Sequence, residues 1–308
     1  MKRLPNYSLL WVSFIVFLCT GCNPASQLSV GSPDGNLCLH VETENGKLYY
    51  ELSRNGKPIL DKSRLGFILK EDTLADHLEI TEALHHSFSG TWEQIWGEDR
   101  IVENNYHEMT IHVQETSAHK RKFNVVFRLF NDGFGFRYEF PEQEALKDFV
   151  IMDELTEFAL TGDHKAWSIP HEAHFYEALY EAAPVSKLGW VSTPLTMETN
   201  DGLFLSIHEA NLTDYAAMNL IPKEGSMTLK ANLTPWSTGE KVFMKAPGVT
   251  PWRTMIVAES AGDLLLSRLM LNLNEPCRIQ DTSWIQPGRY IGIWWTYHMH
   301  KHLSLIHI

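Results

Sequence analysis

Turn signals punctuate this chain and leave little room for long helices. Asp34-Gly35, Asn45-Gly46, Asn55-Gly56, Asn131-Asp132-Gly133 and Asn200-Asp201-Gly202 each stand between short apolar runs. Asn-Gly and Asp-Gly supply the positive φ that tight hairpin turns need, so the runs beside them read as strands. Leu37 to Glu42 and Leu48 to Ser53 flank the second turn as a hairpin pair. Phe123 to Phe130 (FNVVFRLF) is β-branched and aromatic, and Phe134 to Phe140 (FGFRYEF) alternates strictly, placing its aromatics on one face. Met109 to Gln114, Met227 to Leu233 and Thr254 to Ala258 add further strands. Many short strands at this spacing predict a β-sandwich.

The amino-terminus precedes that pattern. Lys2 and Arg3 form a positive start, and Leu9 to Leu18 (LLWVSFIVFL) is apolar but too short to span a bilayer comfortably. The run ends in Cys19-Thr20-Gly21-Cys22, which is similar to a bacterial lipobox with Cys22 as the lipid-bearing residue; an ordinary secretory signal is the alternative. Residues 1–22 are therefore expected to be a leader, 23–32 a polar tether, and the folded part soluble and lipid-anchored, not spanning. Cys38 and Cys277 are the other two cysteines. Export permits a disulfide without requiring that these two meet, and burial is the expectation for each.

A net charge of -12 argues against nucleic acid, whose phosphates demand a basic stripe. Ten Trp, ten Tyr and fifteen Phe on an acidic chain suit a neutral ligand such as a sugar.

Chemistry-bearing residues gather between Thr193 and Leu220. After the Asn200-Asp201-Gly202 turn, Leu203, Phe204, Leu205 and Ile207 read as a buried strand ending in His208-Glu209. An imidazole and a carboxylate where a strand leaves the core are placed to meet a ligand, or to form an ion pair at the sheet margin. Further on, two prolines and a glycine fix the path of Lys245 to Arg253. Trp252 can stack there and Arg253 can fork onto a carboxylate, which favours a structural role over gripping a sugar. Ala166 to Ala183 carries the strongest helical signal and reads as a solvated helix or loop near the ligand entrance, or as a sugar-contacting loop, with Glu172, Glu177 and Glu181 and with His171 and His174 off the spacing of a zinc protease. Trp92 to Asp99 reads equally as a sugar platform or as a turn packing two Trp, and Leu264 to Asn272 as a short helix or strand.

Three ordered stretches carry a resemblance. LSIHEANLTDYAAMNL (Leu205 to Leu220), APGVTPWRTMIVAES (Ala246 to Ser260) and LNLNEPCRIQDTSWIQPGRYIGIWW (Leu271 to Trp295) are similar to glycoside hydrolase family 97, secreted bacterial α-glucosidases and α-galactosidases. The resemblance implies a mainly-β fold, a large mutarotase-like sandwich over residues 33–284. It implies that residues 285–302, with the apolar run Tyr290 to Trp295, begin a (β/α)8 catalytic barrel. The chain then holds only that barrel's first strand, and residues 303–308 match nothing in the family. By the same resemblance Glu209 is a ligand of a calcium ion beside the substrate. The catalytic acid and its partner carboxylate lie on later barrel strands, so no catalytic residue is expected in this chain. The partners implied are an α-linked oligosaccharide, the chain's own missing barrel, and a membrane reached only through the lipid. Location would be the periplasm or outer membrane of a Gram-negative bacterium. The rival reading is a non-catalytic, carbohydrate-binding surface lipoprotein. A free mutarotase would need a His and a Glu across a sugar ring, and the dispersed histidines do not specify that pair.

Overall fold

The computed structural model describes residues 27–171 and 177–289. The leader, Cys22, the apolar run 290–295 and the tail 303–308 lie outside the described residues.

Two large sheets make the molecule a β-sandwich, and every strand pairing among the described residues is antiparallel. The first sheet runs, in spatial order, through Ser29–Gly31, Leu37–Glu44, Lys47–Arg54, Lys57–Leu65, Glu157–Leu160, Thr228–Leu233, Met218–Pro222 and Val191–Ser192. The second begins with Glu181–Pro184, Lys165–Ser168, Leu195–Glu198 and Phe204–Ala210. It continues through Trp252–Ala258, Gly133–Phe140, Lys122–Phe130, Ile101–Glu115 and Leu78–Glu93, with Gly248–Val249 paired on the side of Gly133–Phe140. A smaller sheet of Val242–Lys245, Asp148–Glu154, Phe67–Leu69 and Thr73–Leu74 completes the structure.

The turns behave as their residues dictate. Asn45 and Gly46, like Asn55 and Gly56, all adopt positive φ, the pairing a two-residue hairpin turn requires. Gly133 opens its strand at φ +150, and a Cβ there would sit 2.3 Å from the Met255 carbonyl oxygen, so only glycine fits.

Period-two alternation sends one face of each strand inward. Tyr50, from the first sheet, places its ring among Phe127, Phe134 and Phe136 of the second, with centroids 5.2–6.1 Å apart. Its hydroxyl donates to the Glu157 carbonyl, 2.8 Å away, so the one polar atom that the Tyr50 side chain buries is satisfied. The outer face of the second sheet carries a smaller cluster, where Trp252 and Tyr106 pack under helix Leu269–Leu273. Helices Ala261–Leu266 and Leu269–Leu273 thus replace the ambiguous reading of 264–272.

Two expectations are corrected. The segment Ala166 to Ala183 is not a helix where it is described. Lys165–Ser168 and Glu181–Pro184 are strands paired with each other, and Leu195–Glu198 flanks the first. Pairing across the sheet buries Ala166 and Ser168 on one side, and this tertiary gain outweighs local helical propensity. Glu172 and His174 lie outside the described residues. Cys277 is not buried: it is exposed and free, and so does not pair with Cys38, which is itself only half-buried.

Candidate functional site around Glu209

Strand Phe204–Ala210 lies between Leu195–Glu198 and Trp252–Ala258. Leu205 and Ile207 face the core, and the same alternation turns Glu209 inward with them, two residues further along. A carboxylate on that face needs a partner, and the register supplies one: Glu209 stands directly across from Arg253.

Arg253 is fully buried and holds two carboxylates. Its Nε and Nη2 donate to the two oxygens of Glu154 at 2.8 and 2.7 Å, and its Nη1 donates to Glu209 Oε2 at 2.6 Å. Glu154 ends strand Asp148–Glu154 of the small sheet, so the guanidinium joins two sheets. Glu154 also accepts from Thr156 Oγ1 at 2.8 Å and from the Tyr215 hydroxyl at 3.0 Å. Glu209 is less well supplied. Besides Arg253 it accepts one hydrogen bond, from the Met218 backbone N–H at 3.0 Å.

The charges do not balance. One guanidinium faces two carboxylates, a net charge of minus one in a site where Glu209 is 8% exposed and Glu154 0%. Burial pushes the Glu154 carboxyl up, but the Arg253 charge and its hydrogen bonds outweigh that and hold it below the usual range. Glu209 goes the other way. Its burial, with the Glu154 charge adding to it, exceeds what Arg253 and Met218 return, and its proton affinity rises. Of the two carboxylates, Glu209 is therefore the one that takes up a proton more readily.

The network also latches a loop. Glu209 holds the Met218 N–H at one end, Tyr215 bonds Glu154 in the middle, and the Asn211 N–H donates to Asn274 Oδ1 at 2.8 Å at the other end. Within it Asn211 and Asp214 hold φ of 53° and 52°, conformations that fixed contacts must maintain.

His208 points to the opposite face, its Nδ1 3.0 Å from Thr193 Oγ1. Burial lowers its pKa, and it takes no part in the carboxylate cluster. Trp252 and Arg253 have the structural roles their sequence predicts. Trp252 is buried between the guanidiniums of Arg128 and Arg137, 4.8 and 4.7 Å from its ring, while Arg253 forks onto Glu154. Trp92 is fastened through its indole N–H to Asn272 Oδ1 at 2.9 Å, whereas Trp96 stands exposed beyond it. Sequence reasoning missed Glu154, Thr156 and Tyr215; the sole hint was that a buried Arg253 demands carboxylates.

A calcium ion takes six to eight oxygen ligands. Among the described residues no three His, Cys, Asp or Glu side chains group to hold a metal ion, and Glu154 is consumed by Arg253. Glu209 keeps a lone pair free on each oxygen beside its bonds to Arg253 and Met218, enough for one ligand of such an ion. The described residues do not by themselves make the cage.

One titratable group outside this cluster sets a pH response. His164 is 4% exposed and neither ring nitrogen has a hydrogen-bond partner. Burial lowers its pKa against the pull of Asp201 and Asp163. A lowered folded pKa means the unfolded chain binds the extra proton, so the titration of His164 takes nothing from stability above the unfolded value of roughly 6.5 and subtracts from it as pH falls below. Thermal unfolding of His164→Leu is expected to be less pH-sensitive between pH 7 and 5 than that of the parent; equal slopes would remove His164 from the acid response.

Comparison with known proteins agrees with this architecture. The family model described as "Glycosyl-hydrolase 97 N-terminal" matches residues 30–276. A retaining alpha-galactosidase of Bacteroides thetaiotaomicron is 26% identical over 330 aligned residues, covering 96% of this chain and 47% of the relative. Solved structures of a glycoside hydrolase family 97 enzyme from Pseudoalteromonas sp. strain K8, one with acarbose and one with panose, superpose with a TM-score of 0.85 at 39% identity. They cover 89% of this chain, which spans 42% of theirs, so the chain corresponds to less than half the length of these relatives. The chain belongs to glycoside hydrolase family 97 and carries that family's amino-terminal β-sandwich domain.

Proposed function

We propose that this chain is the amino-terminal part of an exported, calcium-dependent, exo-acting α-glycosidase that hydrolyses α-linked glucosides or galactosides, and that Glu209 is the calcium ligand the sandwich contributes. The observation that carries the reading is geometric: two buried carboxylates share one guanidinium, and Glu209, at a strand end, accepts besides it only one backbone N–H. A cation shared with another part of the enzyme would balance that cluster.

The same geometry argues against catalysis by these two carboxylates. Hydrolysis of a glycoside needs one carboxyl to protonate the leaving oxygen and a second to act as nucleophile or base, with the scissile bond between them. Here a guanidinium occupies the space between Glu154 and Glu209, and Glu154 is sealed from solvent. By the family resemblance the acid and its partner would lie on a catalytic barrel following residue 285, and on this reading the 308-residue chain alone is expected to be inactive. Cys22 would carry the lipid that tethers the enzyme in the periplasm or at the outer membrane. When bound, calcium would supply fixed positive charge beside the sugar; this chain's part is to present and orient Glu209.

The test is an assay of the full-length enzyme on gluco- and galacto-configured α-aryl glycosides, with and without EDTA. Hydrolysis of one configuration, lost on chelation and restored by calcium, is expected. Hydrolysis that survives exhaustive chelation would contradict calcium dependence, and turnover by the isolated chain would contradict the division of labour.

A further inference from the structure

Next to the latched loop lies a cleft of about 680 Å³, lined by Asp214, Tyr215, Thr234, Trp236, Lys241 and Phe243. Trp236 and Phe243 are 63% and 61% exposed, unusual for residues so apolar, and their rings meet edge to face with centroids 6.5 Å apart. The platform is held in place. The Trp236 backbone N–H donates to the Glu240 carbonyl at 2.7 Å and the Gly239 N–H to the Trp236 carbonyl at 2.9 Å, closing a tight turn under the indole.

The opposite wall is equally fixed. It is the segment Asp214 to Ala217, whose Tyr215 is anchored on Glu154. Lys241 donates from its Nζ to Asp153 Oδ1 and Asn232 Oδ1 at 3.0 and 3.1 Å, and Lys230 shares the same Asp153 carboxylate, so Lys241 is held in place as a cation at the floor of the cleft. The volume falls within the roughly 300–1,000 Å³ of small-molecule sites. Among the described residues the lining brings together no set of carboxylates for a metal. The rest of it is aromatic surface bordered by the hydroxyls of Thr234 and Ser237 and the carboxylate of Asp214. That combination matches a neutral ring with one apolar face and a rim of hydroxyls.

We propose that this cleft binds a pyranose unit of an α-linked oligosaccharide, with Trp236 against the apolar face of the ring and Phe243 closing its edge. The choice of an α-linked sugar rests on the enzymatic reading above. Because the Tyr215 wall is anchored and the turn that carries Trp236 is closed by backbone hydrogen bonds, the ordering cost of binding falls mainly on the two exposed rings.

Calorimetric titration of the 308-residue chain with panose tests the assignment. Binding is expected for the parent chain, about tenfold weaker for Trp236→Ala and within about threefold of parent for Trp236→Phe, which keeps a flat ring. Phe243→Ser, at a second exposed position, should also weaken it. Unchanged affinity in Trp236→Ala, or no binding by the parent chain at millimolar panose, overturns the proposal. Self-association of the parent chain that Trp236→Ala abolishes also overturns it, since a second copy would then own this face. Trp236-dependent binding in a full-length enzyme that cleaves no α-glycoside would keep the cleft and discard the catalytic reading. Cleavage of α-glycosides with Trp236-independent panose binding would do the reverse.

Discussion

Replacing Arg253 by Met is expected to lower the midpoint of thermal unfolding by on the order of 10 °C. Among the described residues the guanidinium is the sole cation bonded to Glu154, a residue with no solvent exposure, and it also holds Glu209. Removing one partner of a buried ion pair costs about 3–5 kcal/mol, because the remaining charge has neither water nor a counter-ion. Here two charges of the same sign would face each other, and Tyr215 and Thr156 can donate only one hydrogen bond each to Glu154.

The pH dependence has a definite sign. In the parent, the lowered pKa of Glu154 gives stability that is complete above the unfolded carboxylate value and is lost as pH falls through the folded one. In Arg253→Met the carboxyls become easier to protonate than in the unfolded chain, so the deficit of the variant should shrink on acidification. Adding Glu154→Gln to Arg253→Met should recover a large part of the loss at neutral pH. A drop of only one or two degrees, uniform with pH, would mean that water already reaches these carboxylates.

The second large effect concerns Glu209→Gln in the full-length enzyme, where calcium affinity is expected to fall by about 100-fold or more, since even residues that only orient a metal ligand cost 10–100-fold. Stability should fall modestly. The substituted amide keeps one acceptor oxygen, while its NH2 must face either the Met218 N–H or Arg253, a loss offset in part because the buried cluster goes from two carboxylates per guanidinium to one. Calcium affinity separates the ligand role from that of a loop staple. A residue that only latched residues 211–217 would, when altered, loosen the Met218 contact and lower stability while leaving calcium affinity alone.

Much of the sandwich was legible because its signals are local. Asn45-Gly46 and Asn55-Gly56 specify their turns through the φ values those residues allow, and Phe134 to Phe140 displays its inner face by alternation. The strand that carries Glu209 was legible for the same reason, while the sequence left open whether that carboxylate meets a ligand or an ion-pair partner; the structure turns it inward onto Arg253. Its partners were not legible. Glu154 meets Arg253 across 99 residues of sequence, and nothing in Asp148–Glu154 distinguishes a carboxylate that is sealed from one that is solvated. The segment Ala166 to Ala183 failed for the opposite reason. Its Ala and Glu content favours a helix locally, while the outcome was decided by a strand about 30 residues on, Leu195–Glu198, against which Lys165–Ser168 pairs. Trp236 and Phe243 carried no period that marks them as neighbours; a turn and a strand from the small sheet bring them together.

The most direct measurement is calorimetric titration of calcium into the full-length enzyme and its Glu209→Gln variant, each first confirmed as folded by its melting temperature. A parent that binds calcium and a variant that still unfolds cooperatively but has lost most of that affinity is the predicted outcome. Equal calcium affinities in the two proteins would contradict it.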